Sequence, residues 1–272
     1  YLQQPPYSRN VFTNVRYNHN IVPKIRSENK FSTDVSYEFR SPKLKVQCTG
    51  YFTNFYNGSQ VSFTYADGLK NDEADFVSQI LSGIDKRHVG VEFGLEWKPV
   101  ETVKLFSVAA IGDFTFQNNP DIYIESDLYQ SENSEFGKTY LKNFKIAGTP
   151  QKAYSLGFEY RSPEYWWFQI NGNLMMDNFI QIAPLIRTKN FFTDADGVPV
   201  IDVETGNEIT QHQVSELWNQ EEYPDLFLLN LVGGKSWKIK ERYLGLFLSF
   251  NNLLNTVYKT GGFEQSRNAN YE

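Results

Sequence analysis

The chain contains one cysteine, Cys48, among 272 residues, so no disulfide can form within it. Its three histidines, His19, His88 and His212, are far apart and follow no metal-ligand spacing. No stretch approaches the ~20 apolar residues that a spanning helix needs. There is no Gly-x-Ser-x-Gly elbow, no phosphate-cradling glycine loop and no paired-cysteine motif. A basic excess is also missing. The formal net charge is -6 and the pI is near 5.3, which excludes the electrostatic footprint of a nucleic-acid binder.

Aromatic residues, by contrast, are plentiful: 16% of the chain, with 22 Phe and 17 Tyr. A mean hydropathy of -0.48 speaks against membrane helices. It is blind to strands whose alternate residues are polar.

Such strands are what the pattern shows. Phe31, Thr33, Val35, Tyr37 and Phe39 alternate with Ser32, Asp34, Ser36, Glu38 and Arg40, a period of two. After Ser41-Pro42 the return strand sets Leu44, Val46, Cys48, Gly50 and Phe52 against Lys43, Lys45, Gln47, Thr49 and Tyr51. A second pair runs from Val89 to Trp97 and from Phe106 to Phe116, joined near Pro99-Val100. The even-numbered residues of its second arm, Phe106 to Phe116, are expected on the apolar face and Ser107 to Asp113 on the polar one. A third pair, Tyr154 to Tyr160 and Trp166 to Leu174, turns at Ser162-Pro163-Glu164. A fourth, Leu226 to Trp237 and Leu244 to Phe250, turns near Lys238 to Arg242.

Between the pairs lie polar insertions at about 57–86, 118–145 and 178–224. The first holds Asp67-Gly68 and an apolar run from Phe76 to Ile84 that reads equally as a short helix or as packed loop. The third holds a hairpin signal at Asp194 to Gly197, with Val198 to Val203 as one arm. Short turns alternating with long insertions are the rhythm of an outer-membrane barrel. The fold class is therefore all-β: an antiparallel up-and-down transmembrane β-barrel segment of about eight long strands. Trp97, Tyr160, Tyr165, Trp166, Trp237 and Tyr243 cluster at the short turns and are expected to form one membrane-interface girdle. The polar face is expected to line a watery lumen, with Lys45, Glu92, Glu96, Asp113, Glu159 and Arg161 as lumen-facing candidates. Charges in that number suit a wide wet bore better than a packed core. An open segment of a larger barrel is expected, with terminal strands that hydrocarbon does not tolerate unpaired. Tyr1 opens the sequence without the basic segment and apolar stretch of an export signal, so a mature piece or excised fragment is expected.

Several segments resemble a known family. Asn252-Leu-Leu-Asn-Thr-Val-Tyr258 resembles the segment near the C-terminus of TonB-dependent outer-membrane receptors. Gly148 to Tyr154, Tyr160-Arg-Ser-Pro163, Tyr165-Trp-Trp-Phe168, Asn219 to Glu222, Gly233 to Trp237 and Thr260 to Arg267 together resemble the Bacteroidetes type. The resemblance is specific from about Gly148 onward. It implies that 1–272 is a C-terminal portion of a receptor barrel of about 22 strands, lacking its plug, its signal and its final strands. It also implies import of a scarce nutrient (siderophore, vitamin, glycan or peptide) across the bacterial outer membrane, with energy coupled by TonB through the plug. The partners it implies are outer-membrane lipid, TonB, a small nutrient ligand and, in some members, a surface lipoprotein. The alternative is a non-transporting barrel that serves as scaffold or binding subunit of a surface lipoprotein complex.

Catalysis has no support in the residues, and no cofactor is expected. Asp194, Asp196 and Asp202 suggest a calcium loop only superficially, because the glycine is at the wrong offset and no Glu closes it. Glu221-Glu222 and Asp72-Glu73 read as loop charges. Tyr65, Tyr123, Tyr129, Phe191, Phe192, Trp218 and Tyr223 read as rings packing the insertions together, with ligand contact as the second reading. Cys48 alternates with Val46 and Gly50 and reads as a lipid-facing or packed thiol.

Overall fold

The structure is a computed structural model that describes residues 1–14, 19–66, 75–125, 134–188 and 219–264. Its strands, in chain order, are β1 (Leu2–Gln4), β2 (Glu28–Arg40), β3 (Leu44–Ala66), β4 (Asp75–Val100), β5 (Val103–Phe116), β6 (Asp121–Glu125), β7 (Ser134–Lys138), β8 (Lys152–Arg161), β9 (Trp166–Met176), β10 (Asn178–Phe179), β11 (Glu222–Tyr223), β12 (Leu226–Ile239) and β13 (Arg242–Phe250). One antiparallel sheet runs β1-β2-β3-β4-β5-β8-β9-β12-β13, with β6 and β7 branching from the upper part of β4. Strands β2, β3, β4, β5, β8, β9, β12 and β13 are the eight expected from the period-two pattern. The meander is open. Among the described residues β13 pairs only with β12, and β2 meets β1 over just three residues.

The first insertion is a correction. Residues 57–66 and 75–86 are not loop, because β3 and β4 continue through them as a long two-stranded arm. The run Phe76 to Ile84 is strand, neither helix nor loop. The alternation that seemed to stop is displaced by an irregularity at which Asn57 (φ 58°) and Gly83 (φ 75°) adopt left-handed conformations. Side chains take over the ladder there. Asp85 accepts from the Asn57 N–H at 3.0 Å, and Asn118 donates to the Gly83 carbonyl at 2.7 Å. A bulge of this kind shifts every later side chain to the opposite face. Above it, Gln79 and Leu81 share the face that Lys86 and Phe116 occupy below. The second insertion contains β6 and β7. Asp67-Gly68 and the signal at Asp194 to Gly197 lie outside the described residues.

A second correction concerns β5. Its register sets Ala109 opposite Phe93 and Ile111 opposite Val91, while Phe106 faces Glu96 and Ala110 faces Glu92. Residues paired across a ladder point the same way. Phe106, Val108 and Phe114 are therefore on the polar face, and Leu105, Ala109, Ile111 and Asp113 are on the apolar one. The strand is apolar on both sides, so alternation alone had no phase to report. The register also explains Gly157, which sits opposite Phe106. A Cβ there would come within 2.0 Å of the Phe106 ring. The ring lies over the bare backbone and covers it, as aromatic residues do for sheet glycines.

The buried apolar core is in the upper part of the molecule. Val77, Leu81, Ile84, Phe116, Ile122, Ile124, Leu141, Ile182 and Leu185 form one cluster. Val22, Ile80 and Tyr123 form another on the opposite face of the arm.

Candidate functional site

The apolar face carries two oblique lines of side chains. Trp97, Leu105, Phe158, Ile170 and Leu231 form one hydrogen-bonded row across β4, β5, β8, β9 and β12. Measured toward the short turns, Tyr160 is two residues beyond that row, Trp166 four and Trp237 six. Six residues over four strand steps, at ~3.3 Å per residue and ~4.8 Å per strand, is an inclination of about 45°. A level ring on a barrel with strands tilted ~35–45° crosses its rows at just such an angle. The second line lies toward the other end. Arg87, Asp113 and Lys152 are ten, eight and six residues from the same row. Arg87 meets Asp113 at 3.1 Å and Lys152 meets Asp177 at 2.7 Å. Between the lines on β4, β5 and β8 this face is uncharged: Val89 to Leu95, Ser107 to Ile111, Tyr154 to Phe158. The lines are eight to ten residues apart along β8 and β4. At this tilt that is about 19–23 Å of height, close to the ~25 Å apolar band of outer-membrane barrels.

Four of the expected girdle residues, Trp97, Tyr160, Trp166 and Trp237, are on this face. Tyr160 and Trp166 have ring centroids 5.0 Å apart. Tyr165 is in the turn at φ 63°. Tyr243 is a correction: it alternates with Leu244, which pairs with Trp237, so it belongs to the polar face. Its ring is 6.0 Å from that of Tyr165.

The polar face brings Lys45, Glu92, Glu96, Glu159 and Arg161 together. Lys45 is opposite Glu96 in the register. Glu159 is almost fully buried between Lys104, at 2.7 Å, and Arg161. Asp113, expected here, is on the other face, where Arg87 and Lys145 hold it.

Above the ion-pair line a chamber of about 920 Å³ opens on the polar face. Its walls include Gln79 on the arm, Lys86 and Phe116 at the arm's base, and Lys145, Tyr223 and Lys259 on the connecting segments. A clasp closes one side. Arg187 is fully buried and pairs with Glu264, its Nη2 donating to Oε1 at 2.8 Å. The guanidinium also stacks over Phe144, 4.7 Å from the ring centre, and Nη1 donates to the Ala183 carbonyl at 3.1 Å. Gln220 ties in a further segment by donating to the Lys145 and Ile180 carbonyls. Neither clasp residue carries a local signal, because the pairing spans 77 positions. Lys86 and His88 were reachable: alternation carried back from Val89 sets both on the Glu92 face. Of the rings expected to pack the insertions, Tyr123 is buried on the arm, and Tyr65 and Tyr223 border the chamber. Tyr129, Phe191, Phe192 and Trp218 lie outside the described residues.

On the outer side of the arm, Lys24 reaches Asp121 at 3.2 Å and Glu135 at 3.3 Å. Lys138 meets Asp121 at 3.2 Å. Partial burial pushes the Asp121 carboxyl upward, but hydrogen bonds from Lys24 and Lys138 outweigh it and hold the group below its ordinary value.

No family model matches the sequence, and no curated protein matches it. Among solved structures the chain is similar to the copper transporter OprC, at 14% identity and a TM-score of 0.50. The match covers 94% of this chain and 30% of that one. At that identity the likeness speaks for fold alone: an all-β, antiparallel up-and-down sheet of outer-membrane barrel type, equal in extent to about a third of the transporter's length.

Proposed function

We propose that this chain is part of the wall of a TonB-dependent outer-membrane importer of the Bacteroidetes type. The apolar face meets lipid, with Trp97, Tyr160, Trp166 and Trp237 at one headgroup level and the Arg87–Asp113–Lys152 line at the other. The polar face lines the bore, and the chamber above it belongs to the capture surface. The observation that carries this reading is the pair of parallel oblique lines, which on β4, β5 and β8 bound an uncharged band. A soluble sandwich has no plane for such lines to follow, whereas a bilayer has two. Energy coupling through TonB and a plug comes from the family resemblance. No residue is assigned a catalytic role. The copper in the neighbour's name is that protein's cargo. The chamber here offers lysine, glutamine and aromatic side chains, and its single described acid, Glu264, is already engaged by Arg187.

The test is growth of a deletion strain on defined iron, vitamin, copper and glycan sources, beside a strain lacking TonB. Import predicts that one source fails in both strains. Normal growth on every source, with a surface lipoprotein co-purifying with the barrel, would establish the scaffold instead.

A further inference from the structure

Lysines and phenylalanines alternate along one row of the sheet, which reaches the chamber's base at Lys86 and Phe116. Lys30 on β2 is opposite Phe55 on β3, Phe55 is opposite Lys86 on β4, and Lys86 is opposite Phe116 on β5. All four therefore point to the polar side. Each ammonium rests on the neighbouring ring: Lys30 Nζ is 5.3 Å from the centre of Phe55, and Lys86 Nζ is 5.4 Å from that of Phe116. In the adjoining row His88 packs between Phe55 and Phe114, at 5.2 and 4.7 Å. Lys259 also borders the chamber, whereas the Lys145 ammonium is taken by Asp113.

Among the described residues the row makes no ion pair, and the charge acting on Lys86 is that of the more distant Glu28. Elsewhere on this face Lys104 is met by Glu159 and Arg187 by Glu264. Among the described residues, Lys30, Lys86 and Lys259 have no carboxylate oxygen within 4 Å. The nearby acid Glu28 accepts instead from Gln4, at 2.7 Å. Burial lowers the Lys86 pKa, and the Glu28 carboxylate acts more weakly in the opposite sense. A desolvated cation without a partner is costly, and an anion brought by a ligand would remove that cost. The rings beside it offer flat apolar area for the body of the same ligand.

We propose that Lys86 and Phe116, where this row reaches the chamber, form its recognition subsite, and that it takes a small organic anion: a carboxylate or phosphate joined to a flat ring. This rests on the transport reading for its purpose but not for its test. The probe is phenyl phosphate, titrated by calorimetry into the full-length protein in detergent micelles, beside phenol and inorganic phosphate. Phenyl phosphate should bind at least about tenfold tighter than either, since ring and charge are engaged together. Lys86→Gln should weaken it by about tenfold, and Lys86→Arg should restore most of the loss. Equal binding of phenol and phenyl phosphate overturns the proposal, as does an unchanged Kd in Lys86→Gln. Binding in micelles needs neither membrane nor TonB. A failure here leaves the growth experiment untouched, and a failure of the growth experiment leaves the subsite standing.

Discussion

The molecule reverses its chemistry along single strands. Below the Arg87–Asp113–Lys152 line, large apolar side chains face away from the protein: Val35 is 76% exposed and Leu156 69%. The buried residues there are polar, such as Thr53 and Glu159. Above the line, Ile80, Ile122 and Ile124 are fully buried, in clusters that an ordinary soluble domain would contain. β4 passes through both regimes within its 26 residues. The lower wall is one sheet thick and has no interior of its own, so its greasy side needs a surrounding that is not water. The upper part makes its own interior by folding the connecting segments over the arm. Apolar burial against protein holds the upper part, and under the proposed importer reading lipid takes that place along the lower wall.

The largest effect should come from breaking the clasp. Glu264→Ala leaves the Arg187 guanidinium buried without its carboxylate, a loss of ~3–5 kcal/mol. The cost should fall on the upper part alone. Limited proteolysis should cut the segments around Pro184 and Phe144 faster, while the barrel keeps its heat-modifiable migration on gels. Loss of that migration would mean that the two regimes fold as one.

The wall is probed at its mid-height. Leu156 lies midway between Tyr160 and Lys152 on β8 and is on the apolar face. Leu156→Arg should cost ~2–4 kcal/mol in urea titrations of vesicle-folded protein. Ser155→Arg, one residue away on the polar face, should cost far less. Equal costs would remove the distinction between the faces.

The smallest effect concerns Asp121, whose partners are exposed lysines. Its depressed pKa means that the stabilisation is present above the ordinary carboxylate value of 3.8 and is lost as pH falls through the lower folded value. Hydrogen exchange in residues 19–25 should therefore quicken only below about pH 4. Asp121→Asn should weaken the attachment at neutral pH by less than ~1 kcal/mol. The lower wall should be indifferent to both.

Eight strands were legible because a half-buried strand writes its two environments into alternate positions, as Val89 to Trp97 does. The clustering of Trp and Tyr beside the short turns was legible, although the face of each ring was not. Tyr243 and Asp113 went to the wrong side for one reason: face assignment within a strand needs a phase, and neither Leu105 to Asp113 nor the last turn supplies one locally. The arm was missed because the bulge at Asn57 and Gly83 breaks the alternation that would have declared it. Segments singled out for family resemblance, among them Gly148, Gln220 and Thr260 to Glu264, meet at the chamber. Nothing in their separation along the chain says that they do.

The sequence by itself determined strand, turn and the two-faced character of the wall, because these depend on neighbours one or two residues away. Tertiary structure alone decided which face of β5 is the polar one, where the arm begins, and that Lys86 rests on the Phe116 ring. Those are matters of register between strands, and register is set by pairing across the sheet, where one residue of slip exchanges inside for outside.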